Sequence, residues 1–253
     1  MKIPTIVGSA PTVTILGLGS LLSERSSRTT FPDLQNFRLG RISNKYRRVF
    51  GHPASIFFQR GLANIETKEF SSLSAEEFEP DADSQYRGGF ICSVFEVPRE
   101  QVYRDEEGSD GIIITKPIGA FLEREEEFDI VEVPFVDFSD TDSATKTGTL
   151  CTRFSDDGFV KRWGLDRFEK NYGKYGIQTI WGWKEDSGLR PCRVYLRHCY
   201  LAARSMGQEC FDSFLDETFL VDRTTTIREY INQHPGLIEN TVPPPGFEER
   251  YSG

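Results

Sequence analysis

The chain has 253 residues, with 39 acidic side chains against 30 Lys and Arg and a formal net charge of −9. That length is enough for one large domain, or a domain with a sizeable appendage, around a continuous core, which argues against a disordered chain. The charge balance argues against a broad nucleic-acid or anionic-membrane footprint, leaving small or polar partners.

In chain order, Thr12 to Leu16 reads as the first strand, rich in β-branched residues. The stretch Thr5 to Leu22 is moderately apolar but is broken by Pro11, Gly17 and Gly19, so it is expected to be neither a signal peptide nor a membrane span. Ile15-Leu-Gly-Leu-Gly-Ser-Leu-Leu22 then places two glycines and a serine directly after the strand, a turn whose backbone amides can face a carboxylate or phosphate. No Gly-Lys-Ser/Thr follows, Leu22 stands where a dinucleotide fingerprint needs glycine, and Ser20 is not in a nucleophile elbow. A strand-to-loop turn without a ligand is the plainer alternative.

Arg38, Arg41, Lys45, Arg47 and Arg48 form a basic segment, read as a surface face paired with the acidic surplus. Ser55 to Ile65, Gly89 to Val97 and Asp129 to Phe138 are the further strand candidates, and Pro98 to Gln101 and Pro117 to Glu126 the short helices. The polar run Asp137 to Thr147 marks a boundary, separating a core at 11–140 from a mostly helical extension at 141–253 packed on it. In that extension Pro191 to Ser205 and Phe211 to Phe219 read as helices, and Thr226-Ile-Arg-Glu229 has the spacing of a capping box opening a third. The tail from Thr241, with three consecutive prolines, is expected to be extended or disordered. Strands separated by brief helices, without a regular βαβ rhythm, place the chain in the α+β class.

Within Pro117 to Glu126 the acidic residues are not equivalent. At roughly 100° per residue, Ile118, Phe121, Leu122 and Phe128 share an arc from which Glu125 projects, while Glu123, Glu126 and Glu127 point away. A carboxylate pressed into an apolar face loses hydration, its pKa rises, and it becomes able to accept and return protons. Glu125 is therefore the candidate general acid/base; an irregular segment with a wholly solvated acidic block is the alternative.

Two points of the sequence together resemble the γ-glutamylcyclotransferase family: Leu16-Gly-Leu-Gly-Ser-Leu21 after the first strand, and Leu122-Glu-Arg-Glu125 with Phe128 leading into the next strand. The resemblance covers roughly residues 11–140. It implies a mixed β-sheet or barrel with short helices, to which the helix-rich C-terminal half is added. It also implies that the backbone of Leu16, Gly17, Leu18, Gly19, Ser20 and Leu21 binds a γ-glutamyl moiety and that Glu125 is the acid/base. Leu18 replaces the family's loop tyrosine, and Glu126-Glu127 stand where many members have small residues, so a more acidic mouth is expected. The implied reaction is intramolecular aminolysis releasing 5-oxoproline from glutathione, a γ-glutamyl amino acid or a γ-glutamylamine, with neither metal nor cofactor. Whether the loop holds the α-carboxylate or the developing oxyanion stays open.

The five cysteines, Cys92, Cys151, Cys192, Cys199 and Cys210, are odd in number and lack a C-x-x-C pair, which suits reduced thiols and a cytoplasmic location. His198 and Cys199 are adjacent, so on a helix they diverge and make a poor nucleophile pair. Trp163, Trp181 and Trp183 read as core or groove lining. Competing with the enzyme are a non-catalytic interaction protein that keeps the fold and a hydrolase using Ser20 or Cys199.

Overall fold

The structure, a computed structural model, describes residues 10–80, 85–107, 113–139 and 144–253. Its strands are β1 (Thr12–Gly17), β2 (Gln35–Ile42), β3 (Tyr46–Pro53), β4 (Glu69–Glu77), β5 (Ile91–Pro98), β6 (Tyr103–Glu107), β7 (Ile113–Pro117), β8 (Asp129–Asp137), β9 (Lys146–Thr152), β10 (Arg190–Pro191) and β11 (Thr218–Leu220). Helices α1 (Glu24–Arg28), α2 (Ser55–Gln59) and α3 (Gly119–Arg124) are short; α4 (Asp156–Trp163), α5 (Leu165–Asn171), α6 (Arg193–Ser205), α7 (Gln208–Asp216) and α8 (Ile227–Gln233) follow in the second half.

Strands β1, β5, β2, β8 and β9 pair antiparallel in that order, and a parallel contact between Ile15 of β1 and Thr149 of β9 closes them into a ring. Closure leaves no free edge among these strands. Strand β9 then continues past β1 to meet β4 at Ala75–Thr152, and β4, β3 and β11 extend the sheet outward. This is the α+β arrangement expected, a mixed barrel with short helices and a helix-rich second half. One strand of the ring lies beyond the expected boundary: β9 falls after residue 140.

The strands β1, β5 and β8 and the helices α6 and α8 lie where the sequence pattern puts them, and the capping box at Thr226 and Glu229 is formed. Three expectations fail. Ser55 to Ile65 is a helix and a turn instead of a strand, because Phe57 and Phe58 are buried as consecutive residues of α2, facing separate aromatic clusters. The basic segment is itself β2 and β3, with Arg38 paired to Glu96 and Asp137, Arg41 to Glu217 and Arg47 to Glu76. Arg48 departs from that surface reading: it is 0% exposed. The tail from Thr241 is folded back, with the Tyr251 amide bonded to the Phe247 carbonyl at 3.1 Å and the Tyr251 ring buried.

The largest core lies where α6, α7 and α8 cover the sheet, and it includes Leu18 and Leu22 of the glycine loop. A second core around Phe31, Phe95 and Phe121 seats α3. A third, aromatic core of Phe58, Phe159, Tyr172 and Trp181 joins α4 and α5 to the sheet. The loop is thus fixed mainly by the first core, with Leu21 packed on the second beside α3.

Candidate active site

Strand β1 ends at Gly17 in a turn closed by the Leu22 amide donating to the Gly19 carbonyl at 3.0 Å. Ser93 and Ser27 both donate their hydroxyls to the Leu21 carbonyl, at 2.6 and 2.8 Å. A Cβ at Gly17 would lie 2.3 Å from Ser93 Oγ and 2.8 Å from the Leu21 carbonyl oxygen, so the turn needs glycine there. The amides of Gly19, Ser20 and Leu21 find no acceptor among the described residues, which leaves a set of donors available to an anion.

Two side chains that sequence reading did not assign to the site support this loop. Arg48 reaches the Leu18 carbonyl at 3.4 Å and donates to the carbonyls of Ile91 and Ser213 at 3.2 and 2.6 Å. Its guanidinium lies over the rings of Phe90 and Phe214, 4.7 and 5.5 Å from their centroids. From α6, the Tyr195 hydroxyl stands 2.8 Å from where a Cβ on Gly19 would be, among Ser20, Ser72 and Cys199. Leu18 itself is core. A phenol therefore stands beside the loop although the loop contains none.

The acidic turn follows α3. The helix stops at Arg124, Glu125 is its C-cap, and the Phe128 amide bonds back to the Glu125 carbonyl at 3.1 Å. The Glu125 side chain is 16% exposed. Arg124 Nε donates to its Oε1 at 2.9 Å, and the Cys151 thiol of β9 approaches its Oε2 at 3.8 Å.

Glu126 and Glu127 correct the expectation of a solvated, acidic mouth: they are 4% and 5% exposed. Extrapolating the helical arc past Arg124 put them on the wrong side, because the helix ends and the chain turns toward the second half. Arg167 and Asn171 of α5 donate to the two Glu126 oxygens at 2.7 and 2.8 Å. Glu127 Oε1 accepts from the Tyr172 hydroxyl at 2.6 Å and the Ser55 amide at 2.9 Å. The indoles of Trp163 and Trp181 donate to the carbonyls of Glu126 and Glu127 at 3.1 and 2.9 Å. Burial, with the neighbouring Glu126 charge, raises the Glu127 pKa to about 7, against the lowering effect of the Tyr172 and Ser55 bonds.

Loop and turn meet at one cavity of about 960 Å³, lined by Leu16, Gly17, Leu18, Gly19, Ser20 and Leu21 and by Glu125, Glu126 and Glu127. Every site residue expected from the sequence borders it. Cys151, Thr149, Tyr195 and Asn171 complete its inner wall, and Lys170, Lys174 and Arg250 contribute cations. No carboxylate among the described residues forms an ion pair with those three. A ligand carrying carboxylates suits that wall.

Ser26 and His198 also border the cavity, with Ser26 Oγ 3.2 Å from His198 Nε2. The Gly253 amide donates to His198 Nδ1 at 3.0 Å, so the neutral ring carries its proton on Nε2 and donates it to Ser26. Burial lowers the His198 pKa to about 4, with Arg250 and Arg197 adding to the effect. This ring therefore orients the Ser26 hydroxyl and does not activate it. The signals for Tyr195 and Asn171, which reach the cavity from helices far along the chain, and for Tyr172, which bonds Glu127 behind it, were absent from local sequence.

A closed α+β barrel with an amide-lined turn and a glutamate facing one cavity defines the class of site. No protein-family model matches the chain, and no curated protein matches it. Among solved structures it is similar to a yeast γ-glutamyl cyclotransferase specific to glutathione, at 12% identity and a TM-score of 0.45 over 91% of this chain and 95% of that one. It is also similar to a γ-glutamyl cyclotransferase, at 11% identity and a TM-score of 0.36 over 63% of this chain and 85% of that one. An uncharacterized human protein matches at 12% identity and a TM-score of 0.38, over 64% of this chain and 86% of that one. Among the described residues no helix is long and apolar enough to cross a membrane.

Proposed function

We propose that the protein is a γ-glutamylcyclotransferase-like enzyme that releases 5-oxoproline from a small γ-glutamyl compound. The observation that carries this reading is that the unpaired amides of the glycine turn and the Glu125 carboxyl border the same cavity. The sequence resemblance at Leu16 to Leu21 and at Leu122 to Glu125 supports it. In the reaction the substrate's α-amine attacks its own γ-carbonyl carbon, and Glu125 takes a proton from the attacking nitrogen and returns it to the departing one. The amides of Gly19, Ser20 and Leu21 bind an anionic group of the substrate or the developing oxyanion. Holding the flexible γ-glutamyl chain folded toward ring closure contributes several kcal/mol beyond proton transfer. Lys170, Lys174 and Arg250 favour a substrate with a further carboxylate beyond the γ-glutamyl group.

Incubating the purified protein with glutathione, γ-glutamyl amino acids and γ-glutamylamines, with 5-oxoproline followed by mass spectrometry, tests the reading. Release from at least one compound is expected. No release across the panel contradicts it and favours a non-catalytic interaction protein built on this fold.

A further inference from the structure

The cyclisation moves two protons between two nitrogens. The substrate's ammonium has three N–H bonds and the lactam keeps one, while the departing nitrogen goes from an amide N–H to an ammonium. A single carboxylate must therefore act twice, or two must share the work. Two of the carboxylates that border the cavity are differently made. Glu125 has both oxygens near donors, Arg124 Nε at 2.9 Å and the Cys151 thiol at 3.8 Å. Glu127 is anchored through Oε1 by the Tyr172 hydroxyl and the Ser55 amide. Its Oε2 accepts no hydrogen bond from another described residue and is not one of the side-chain atoms sealed from solvent without a partner. Since Glu127 borders the cavity and is otherwise buried, that oxygen opens onto it.

We infer that Glu127 is a second catalytic carboxylate, which accepts the first proton from the substrate's ammonium at Oε2 while Glu125 serves the second transfer. The inference rests on the cyclotransferase reading. The ammonium gives a proton to Glu127, and the freed lone pair forms the new C–N bond as the carbonyl π pair moves to oxygen. The nitrogen then passes a second proton to Glu125, and the tetrahedral centre collapses. The old C–N bond breaks with Glu125 returning its proton to the departing nitrogen, which takes its last proton from Glu127. Both carboxylates end as they began.

The raised pKa of Glu127 matches this role, because a base that must take a proton from an ammonium works best when its own affinity is near that of the medium. The titratable and charged groups around it are Glu125 and Glu126 on its own turn, Tyr172 at the end of α5 with Arg167 of that helix bonded to Glu126, and Cys151 from β9; the Glu126 charge raises its pKa, and the bonds from Tyr172 and the Ser55 amide of α2 lower it. The carboxylate form is the active one, so kcat/KM rises with pH through this group.

The test is the pH profile of 5-oxoproline release for wild type, Glu127→Gln and Tyr172→Phe, using the γ-glutamyl compound that wild type turns over fastest. Glutamine keeps an oxygen for the Tyr172 and Ser55 donors, so Glu127→Gln is expected to fold, to lose at least about tenfold in kcat and to lose the acidic limb. Tyr172→Phe removes a bond that lowers the Glu127 pKa, so its acidic limb is expected to move to higher pH. Full kcat and an unchanged profile in Glu127→Gln overturn the inference and leave the reaction assigned to Glu125 alone. Should Glu127→Gln not fold, an unmoved limb in Tyr172→Phe overturns it. A wild type that forms no 5-oxoproline removes the cyclotransferase reading and this inference with it.

Discussion

At Arg48 a charge lies wholly inside the protein, and among the described residues no carboxylate accepts its hydrogen bonds; three carbonyls and the Ser213 hydroxyl do. Two aromatic rings flank it. Through the Leu18 and Ser213 oxygens it joins the glycine turn to α7. Arg48→Met removes these donors at once and is expected to destabilise the protein by about 3 kcal/mol, because it leaves buried acceptors unpaired. Urea unfolding measures this, and a change below about 0.5 kcal/mol contradicts the role. From the sequence Arg48 was indistinguishable from its basic neighbours, since burial of an arginine depends on partners from β5 and α7. Glu125 was legible because its spacing from Phe121 and Leu122 is local. Glu127 was not, because the helix ends between them and its partners are Tyr172 and Ser55.

The elements differ in how openly their sequences announce them. Strands β1, β5 and β8 carry runs of β-branched and aromatic residues, and α8 carries its capping box, so local pattern sufficed. Strand β4 is rich in serine yet buried along nearly its whole length, its small hydroxyls fitting between neighbouring strands and α6. Strands β2 and β3 carry Arg38, Arg41 and Arg47, whose partners are remote carboxylates, so the segment reads as solvated until the sheet is assembled. Strand β3 ends with another hidden group. His52 stacks on Trp181 with ring centroids 4.2 Å apart, and neither ring nitrogen has a partner among the described residues. Burial, with Arg153 adding to it, lowers its pKa to about 3 from the ordinary 6.5.

A histidine depressed in the folded state binds protons only after unfolding, so the stability it preserves is intact above its unfolded pKa and is lost as pH falls toward the folded value. For His52 the loss is about 2 kcal/mol by pH 5. Comparing wild type with His52→Phe cancels the contributions of His198 and Glu127. The difference in unfolding free energy is expected to move by about 2 kcal/mol in favour of the variant between pH 7 and pH 5. A pH-independent difference contradicts a neutral, buried His52.

Across the whole molecule, the expected α+β barrel is present, and the expected division at residue 140 passes between two paired strands. The polar run that suggested a boundary leads from β8 to β9, and β9 supplies both the closing contact with β1 and the link to β4. The second half is therefore needed to build the site as well as the fold: Cys151, Asn171, Tyr172 and Tyr195 all come from it. A fragment ending at residue 140 lacks the closing strand and is expected to remain unfolded, with collapsed amide dispersion in an NMR spectrum. A cooperatively folded fragment contradicts the closed ring as the basis of stability.

The central claim is that a carboxyl at position 125 transfers protons for a substrate held by the amides of the glycine turn. Its most direct test is the rate of 5-oxoproline release by folded Glu125→Gln, compared with wild type on the same γ-glutamyl compound. The account predicts a loss of at least about two orders of magnitude, the scale of general acid/base catalysis, with the unfolding transition unchanged. Undiminished release by a folded Glu125→Gln protein would contradict it.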